Sequence, residues 1–239
     1  MTAMLKKTLR RILPRPVYDR LVSGYWEWRW RRTARPAANV NSKDYWDRIW
    51  TAEGLHTRNE AELHAAILEL VPADVRVADV GCGNGQLIRK LIRDRRAVCT
   101  GVDISSVALE ALRRELDIAT LQTALPAIPA PDETFDVGIC SECLEHLDRP
   151  LETVLEMHRI VREGGRLILT VPDGCIWKKG GEHVQEFTPT DCVNLLRPLV
   201  RDVHLETLVD ANGWPYLIVW GERCRERRRY AADLAPEVR

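Results

Sequence analysis

Hydrophobic positions along this chain change period repeatedly, and each change predicts an element. Met4, Leu5, Leu9, Ile12 and Leu13 recur at helical spacing with Lys6, Lys7, Arg10 and Arg11 on the other face, until Pro14 and Pro16 end the run. Asp44–Trp50 begins a short aromatic segment, and Ala61, Leu63, Ala66, Ile67 and Leu70 predict a helix from Asn59 to Leu70, closed by Pro72. From Val75 onward apolar β-branched runs alternate with helical ones. Val75–Val80 reads as a strand, the glycines at 81, 83 and 85 as a tight turn, and the segment from Gln86 as a helix. Ala97–Asp103 is a second strand, and Ser105 caps a helix to about Leu116. Ile118–Gln122 is a third strand, leading into a proline-rich loop over 124–134. A fourth strand at Phe135–Cys140, a helix from about Leu151 to Val161, a turn at Arg162–Gly165 and a fifth strand at Arg166–Val171 follow. Thr188–Leu196 opens a last helix before strands at Val203–Val209 and Pro215–Gly221. This order implies an α/β fold: a doubly wound, seven-stranded, mostly parallel sheet with an antiparallel final hairpin.

The 239 residues suffice for one such domain with extensions. The expected division is a basic, aromatic N-terminal arm over 1–36, a helical lead-in over 37–72, the α/β domain over 73–222 and a charged tail over 223–239. Lys plus Arg equal Asp plus Glu at 35 each, which argues against a nucleic-acid coat protein. The arm departs from that balance, with ten Lys or Arg against Asp19 and Glu27. Its cluster Tyr25–Arg32 sets cations beside Trp and Tyr, a composition suited to an anionic membrane surface, to packing on the domain or a second subunit, or to organelle targeting. Seven cysteines lie mostly in apolar runs, which points to buried thiols in a reducing compartment; Cys140 and Cys143 read as structural rather than zinc or redox ligands. No run approaches the roughly 18 apolar residues of a membrane span, and no secretory signal is evident. The expected location is cytoplasmic, at the membrane surface if the arm binds lipid.

Three glycines on alternate positions after a strand let backbone amides at the next helix start face a ligand. Asp103, at the end of the second strand, suits two ribose hydroxyls because a carboxylate only accepts. A dinucleotide fold wants glycine at the sixth position, where this chain has Gln86. Asp79 followed by Gly81-Cys-Gly83-Asn-Gly85, with Asp103, resembles the first motif of class I S-adenosylmethionine-dependent methyltransferases, and Phe135–Pro172 resembles the broad family that includes ubiquinone-biosynthesis O-methyltransferases. The resemblance implies the class I, Rossmann-like fold and S-adenosylmethionine as cofactor. It implies a cofactor site from Asp79, Gly81, Cys82, Gly83, Gly85, Asp103, Ile104, Thr123, Ala124, Leu125 and Glu142, and a lid from the segment before the domain. The family's adenine-binding acid after the third strand is replaced here by Thr123 and Ala124.

Glu142, Glu145 and His146 occupy i, i+3 and i+4, so on a helical turn they would share a face. The pattern is similar to the metal-binding E-x-x-E-H of ubiquinone-biosynthesis O-methyltransferases and of small-RNA 2′-O-methyltransferases, where a further histidine completes the site; His183 is the candidate here. Three readings stand open: a divalent ion such as Mg on Glu142, Glu145, His146 and His183; a metal-free general base at His146 oriented by Glu145 or Glu142; or carboxylates that cap a helix and touch the cofactor. The remaining histidines, His56, His64, His158 and His204, read as structural or solvated. The expected activity is methyl transfer to oxygen on a small or lipid-linked acceptor, such as a quinone precursor or a lipid-linked sugar, with nucleic acid disfavoured as partner. Rival expectations are an RNA 2′-O-methyltransferase, a nicotinamide-dependent oxidoreductase and a non-catalytic module of the same fold.

Overall fold

The computed structural model describes residues 41–52, 60–176 and 183–225; the basic arm, His56, Trp177, Lys178, Lys179 and most of the expected tail lie outside the described residues. The elements are α1 (Lys43–Ala52), α2 (Ala61–Leu70), β1 (Arg76–Val80), α3 (Gln86–Arg95), β2 (Val98–Asp103), α4 (Ser106–Glu115), β3 (Ala119–Gln122), β4 (Phe135–Ser141), α5 (Pro150–Ile160), β5 (Val161–Pro172), α6 (Pro189–Leu196), β6 (Val200–Val209) and β7 (Pro215–Arg223). They form one seven-stranded sheet in the order β3-β2-β1-β4-β5-β7-β6, parallel except for β7, which runs antiparallel to both neighbours. This is the expected doubly wound class I arrangement. No described helix is long and apolar enough to cross a membrane.

Period-two alternation within the strands divides the core between the two faces. Ala78, Val80, Leu167, Leu169, Leu217 and Val219 pack against α5 and α6 residues such as Val154, Met157 and Leu195. Val77, Ile139, Ile168 and Ile218 turn to the other face, under Leu63 and Ile67 of α2 and Ile88 and Leu91 of α3. Strands buried on both faces read as continuous apolar runs, which is why the sequence located them well.

Two boundaries move. The expected turn at Arg162–Gly165 belongs to β5: Phe135 pairs with Val161 and Val137 with Arg166, so the intervening residues form a bulge inside the ladder. A Cβ on Gly165 would lie 2.6 Å from the Asp136 carbonyl, so the bulge needs glycine there. β7 runs on through Arg223, whose guanidinium is buried although its partner Glu133 is exposed. Arg223 donates to the His158 carbonyl (3.2 Å) and to Glu133 (2.9 Å), while His158 Nε2 lies 2.8 Å from the Cys224 carbonyl. His158 is therefore structural, and His204, stacked on Trp220 at 5.2 Å, takes no part in the site either.

The register that matters for function is at the carboxyl ends. Val80 is level with Val102, and Asp79 with Ile139, so the glycine loop, Asp103 and the exit of β4 emerge together. The strand order reverses between β1 and β4, the place where open α/β sheets form a ligand crevice.

Candidate active site

Gly81, Gly83 and Gly85 all adopt positive φ (79°, 51° and 78°). At Gly83 a side chain has no room, since a Cβ would sit 2.7 Å from the Trp50 ring. Gly85 serves the shape of the turn: its amide donates to the Cys82 carbonyl (2.9 Å), and a Cβ there would lie 2.3 Å from Leu112. The side on which a side chain would stand is thus filled by α4.

Two cavities of about 330 and 340 Å³ meet above this loop, and both are lined by Trp46, Trp50, Gly81, Gly83, Glu142 and His146. One adds Asp103, Ile104, Thr123, Ala124 and Leu125, and the other adds Asp79, Cys82 and Asn84. Apart from Gly85, every residue expected at the cofactor thus lines one connected cleft. Asp103 is buried, and each of its oxygens accepts one backbone N–H, from Gly83 (2.8 Å) and from Ser105 (2.8 Å). Burial pushes its pKa up and these amides oppose that shift. The Ile104 amide also hydrogen-bonds to it, and since a carboxylate offers about four acceptor positions, Asp103 keeps acceptor capacity for a diol. Thr123 donates its hydroxyl proton to the Ala127 carbonyl (2.9 Å), leaving its oxygen as an acceptor beside the Ala124–Leu125 wall. The donor set and the shape of the cleft fit an adenosyl group.

Burial, reinforced by the negative charge of Asp103, pushes the Asp79 carboxyl up to about 7. Ionised Asp79 favours a cationic ligand, so affinity for S-adenosylmethionine is expected to rise with pH through about 7. The sign for the free protein is opposite. A folded pKa above the unfolded one means that the fold loses stability as pH climbs from about 4 to 7. Thermal melts with and without ligand from pH 5 to 8 check both trends, and Asp79→Asn should flatten them.

The roof of the cleft is α1. Partial burial would raise the Asp47 carboxyl, but hydrogen bonds from Lys43, Ser105, Val107 and Ser106 outweigh it and hold the group well below the usual carboxylate range. Asp47 accepts from Ser105 Oγ (2.6 Å), Ser106 Oγ (3.1 Å) and the Val107 amide (3.2 Å), so it caps α4 in trans while Ser105 caps it in cis. Lys43 pairs with the same carboxylate one helical turn earlier. The latch places Trp50 over Gly83 and Trp46 edge-on to His146 at 5.1 Å. Asp47→Ala is expected to speed release of S-adenosylhomocysteine roughly tenfold, the scale of a lost cap with charged hydrogen bonds. Stopped-flow dissociation reads it, and an unchanged rate would remove α1 as a latch.

After β4 the chain departs from the expected helical turn. Glu142 sits at φ 49°, and residues 144–146 form a single 3-10 turn. Glu142 therefore points back to β5, where Thr170 Oγ1 donates to its carboxylate at 3.0 Å, and it does not join Glu145 as expected. His183 does join. The Val184 and Gln185 amides both donate to the Glu145 carbonyl (2.8 and 3.0 Å), which docks the later segment on the turn. The His146 and His183 rings then meet edge-on at 4.8 Å, and His146 Nε2 lies 3.8 Å from the buried Glu145 carboxylate. Glu145, His146 and His183 can bring one ligand atom each within 4.8 Å of one another, the one such trio among the described residues. Without Glu142 the set is one oxygen and two imidazoles, which suits a zinc- or manganese-like ion better than the Mg expected from the sequence. Cys140 and Cys143 belong to the structural reading: the hydrogen bond between them and burial push the Cys140 thiol well up.

Residues 78–169 match the family described as "Methyltransferase domain". Two curated relatives are ubiquinone biosynthesis O-methyltransferases. That of Alkalilimnicola ehrlichii is 34% identical over 133 residues, covering 53% of this chain and 53% of the relative. That of Pseudomonas aeruginosa PAO1 is 30% identical over 132 residues, covering 53% and 56%. The chain spans about half the length of these curated relatives. Among solved structures, a SAM-dependent methyltransferase from Aquifex aeolicus superposes with TM-score 0.57 at 15% identity, over 70% of this chain and 95% of that one. The [4+2]-cyclase SpnF does so with TM-score 0.57 at 18% identity, over 68% and 81%. These likenesses speak for the fold alone. With the glycine loop, Asp103 and the strand order already in place, residues 78–169 are similar to a methyltransferase domain, carried on a class I, Rossmann-like sheet.

Proposed function

We propose that the chain transfers a methyl group from S-adenosylmethionine to an oxygen of a small or lipid-linked acceptor, a quinone precursor or lipid-linked sugar being the nearest chemical types. The observation that carries this is the position of His146. It lines the seam where the Asp103 cavity meets the Asp79 cavity, with Glu145 and His183 beside it. Asp103 and the Thr123–Leu125 wall hold the nucleoside end, and the glycine loop and Asp79 face the rest of the cofactor. S-adenosylmethionine, when bound, supplies a methyl group already activated on a sulfonium. The chain's own work is then positioning and proton removal. Trp46 and Trp50 cover the cleft and exclude water, and His146 takes the acceptor's hydroxyl proton while Glu145 fixes the ring and favours its charged form. The relatives named as O-methyltransferases support oxygen as the acceptor atom.

A second reading routes the proton chemistry through an ion on Glu145, His146 and His183, which would lower the acceptor's pKa as a Lewis acid. The donor trio favours it, and the same trio is compatible with RNA 2′-O-methylation. Nicotinamide chemistry draws no support from the glycine spacing or the family match, and membrane contact by residues 1–36 rests on their composition.

The experiment is transfer of labelled methyl from S-adenosylmethionine to a catechol, a polyprenyl-linked sugar and a short RNA, each with and without chelator. Label on the catechol or sugar that survives chelation supports the metal-free reading, and loss on chelation supports the ion. Label on RNA alone would overturn the small-acceptor reading.

A further inference from the structure

The two cavities divide their polar groups unequally. Asp103 and Thr123 lie only on one side of the seam; Glu60, His64 and Gln86 lie only on the other, with Asp79. A nucleoside anchored on Asp103 that carries an amino-acid arm must send that arm across the glycine loop toward Glu60. His64, expected to be structural or solvated, is buried there between two charged partners. Lys90 Nζ lies 2.9 Å from its Nδ1, and Glu60 Oε2 lies 3.4 Å from its Nε2. An ammonium group can only donate, so Nδ1 accepts from Lys90 and the Nε2 edge of the ring is turned to Glu60. Glu60 thus has the imidazole as its polar neighbour at 3.4 Å, with no hydrogen bond between them, which leaves its carboxylate oxygens as acceptors toward the cleft.

We infer that Glu60, positioned by His64 and Lys90, is the acceptor for the α-ammonium of the cofactor's amino-acid arm. The inference rests on the cofactor reading above. Three features make Glu60 suitable. It is anchored just ahead of α2, whose Leu63 and Ile67 are fully buried against the sheet. Its side chain is 18% exposed, which leaves the carboxylate open to the cleft while sparing the full cost of desolvation. The Lys90 charge is held behind the imidazole, so it orients the ring without lining the cavity and competing for the ligand.

Ligand truncation separates this role from a structural one. S-adenosylhomocysteine carries the amino-acid arm and 5′-methylthioadenosine lacks it, while both share the adenosine that meets Asp103. Calorimetric titration of the full chain with each ligand is expected to show S-adenosylhomocysteine binding more tightly to wild type. Glu60→Gln should weaken that ligand about tenfold or more, the scale of a lost charge-assisted hydrogen bond, and leave 5′-methylthioadenosine within twofold. His64→Gln should shift affinity in the same direction by less. Unchanged S-adenosylhomocysteine affinity in Glu60→Gln, or equal weakening of both ligands, overturns the assignment. Wild type that binds neither ligand overturns the cofactor reading itself, and this assignment with it.

Discussion

Asp103→Ala is expected to weaken S-adenosylhomocysteine binding by two to three orders of magnitude while leaving the protein folded. Two hydroxyl-to-carboxylate hydrogen bonds at roughly 1.5–3 kcal/mol each account for a loss of that size. A second contribution comes from the protein itself. Asp103 accepts from the amides of Gly83 and Ser105, so it ties the glycine loop to the start of α4. Removing it releases the loop under Trp50 and loosens the helix end that Asp47 grips. Asp103→Asn keeps the volume but gives one oxygen position to an amide nitrogen, which must then face a backbone N–H, so it should be nearly as damaging. Titration calorimetry reads the affinity, and far-UV circular dichroism with a thermal melt reads the fold. A variant that binds within fivefold of wild type would mean that the diol lies elsewhere and that the cavity lined by Asp103 is not the nucleoside site.

The parts of this protein that were legible in the sequence are those whose partners are close in the chain. The glycine loop, the acid at the end of β2 and the Ser105 cap are each decided within a few residues, and the structure has all three. The apolar strands were legible for a related reason: burial on both faces leaves an unbroken hydrophobic run. What failed was an assumption about local geometry. Glu142 and Glu145 share a face only on a helix, and the left-handed backbone at Glu142 turns its side chain to Thr170 instead. No propensity marks that switch, because the bonds that hold it come from β5. The latch and the Lys90–His64 pair were illegible for the same reason. Asp47 finds Ser105 from 58 residues away, and Lys90 reaches His64 across 26. An aspartate in an aromatic helix and a histidine on an apolar face carry no motif; only the packing of α1 on α4 and of α2 on α3 gives them chemistry.

His146→Ala should lower kcat by about 10²- to 10⁴-fold, the range for a lost general base, with S-adenosylhomocysteine affinity nearly unchanged. The two effects separate because His146 touches the seam of the cleft, while the nucleoside contacts lie at Asp103 and Thr123–Leu125. Wild-type kcat is expected to fall on the acid side of its pH profile as the imidazole takes up a proton, and the variant should lose that limb. Glu145→Gln is the informative companion. Glu145 lies 3.8 Å from His146 Nε2 and is almost wholly buried, so it acts on the ring and not on the acceptor. Losing the carboxylate removes the group that orients the ring, so kcat should fall while KM for the acceptor holds. An ion on the trio gives a different pattern. His146→Ala and His183→Ala would then fall together, each losing bound metal, and chelation of the wild type would reproduce both. With the general-base assignment His183→Ala retains most of kcat, because its ring packs against the edge of His146 without lining the seam. Equal losses at His146 and His183 with full metal content would sink both assignments and leave proton removal to solvent or to the acceptor itself.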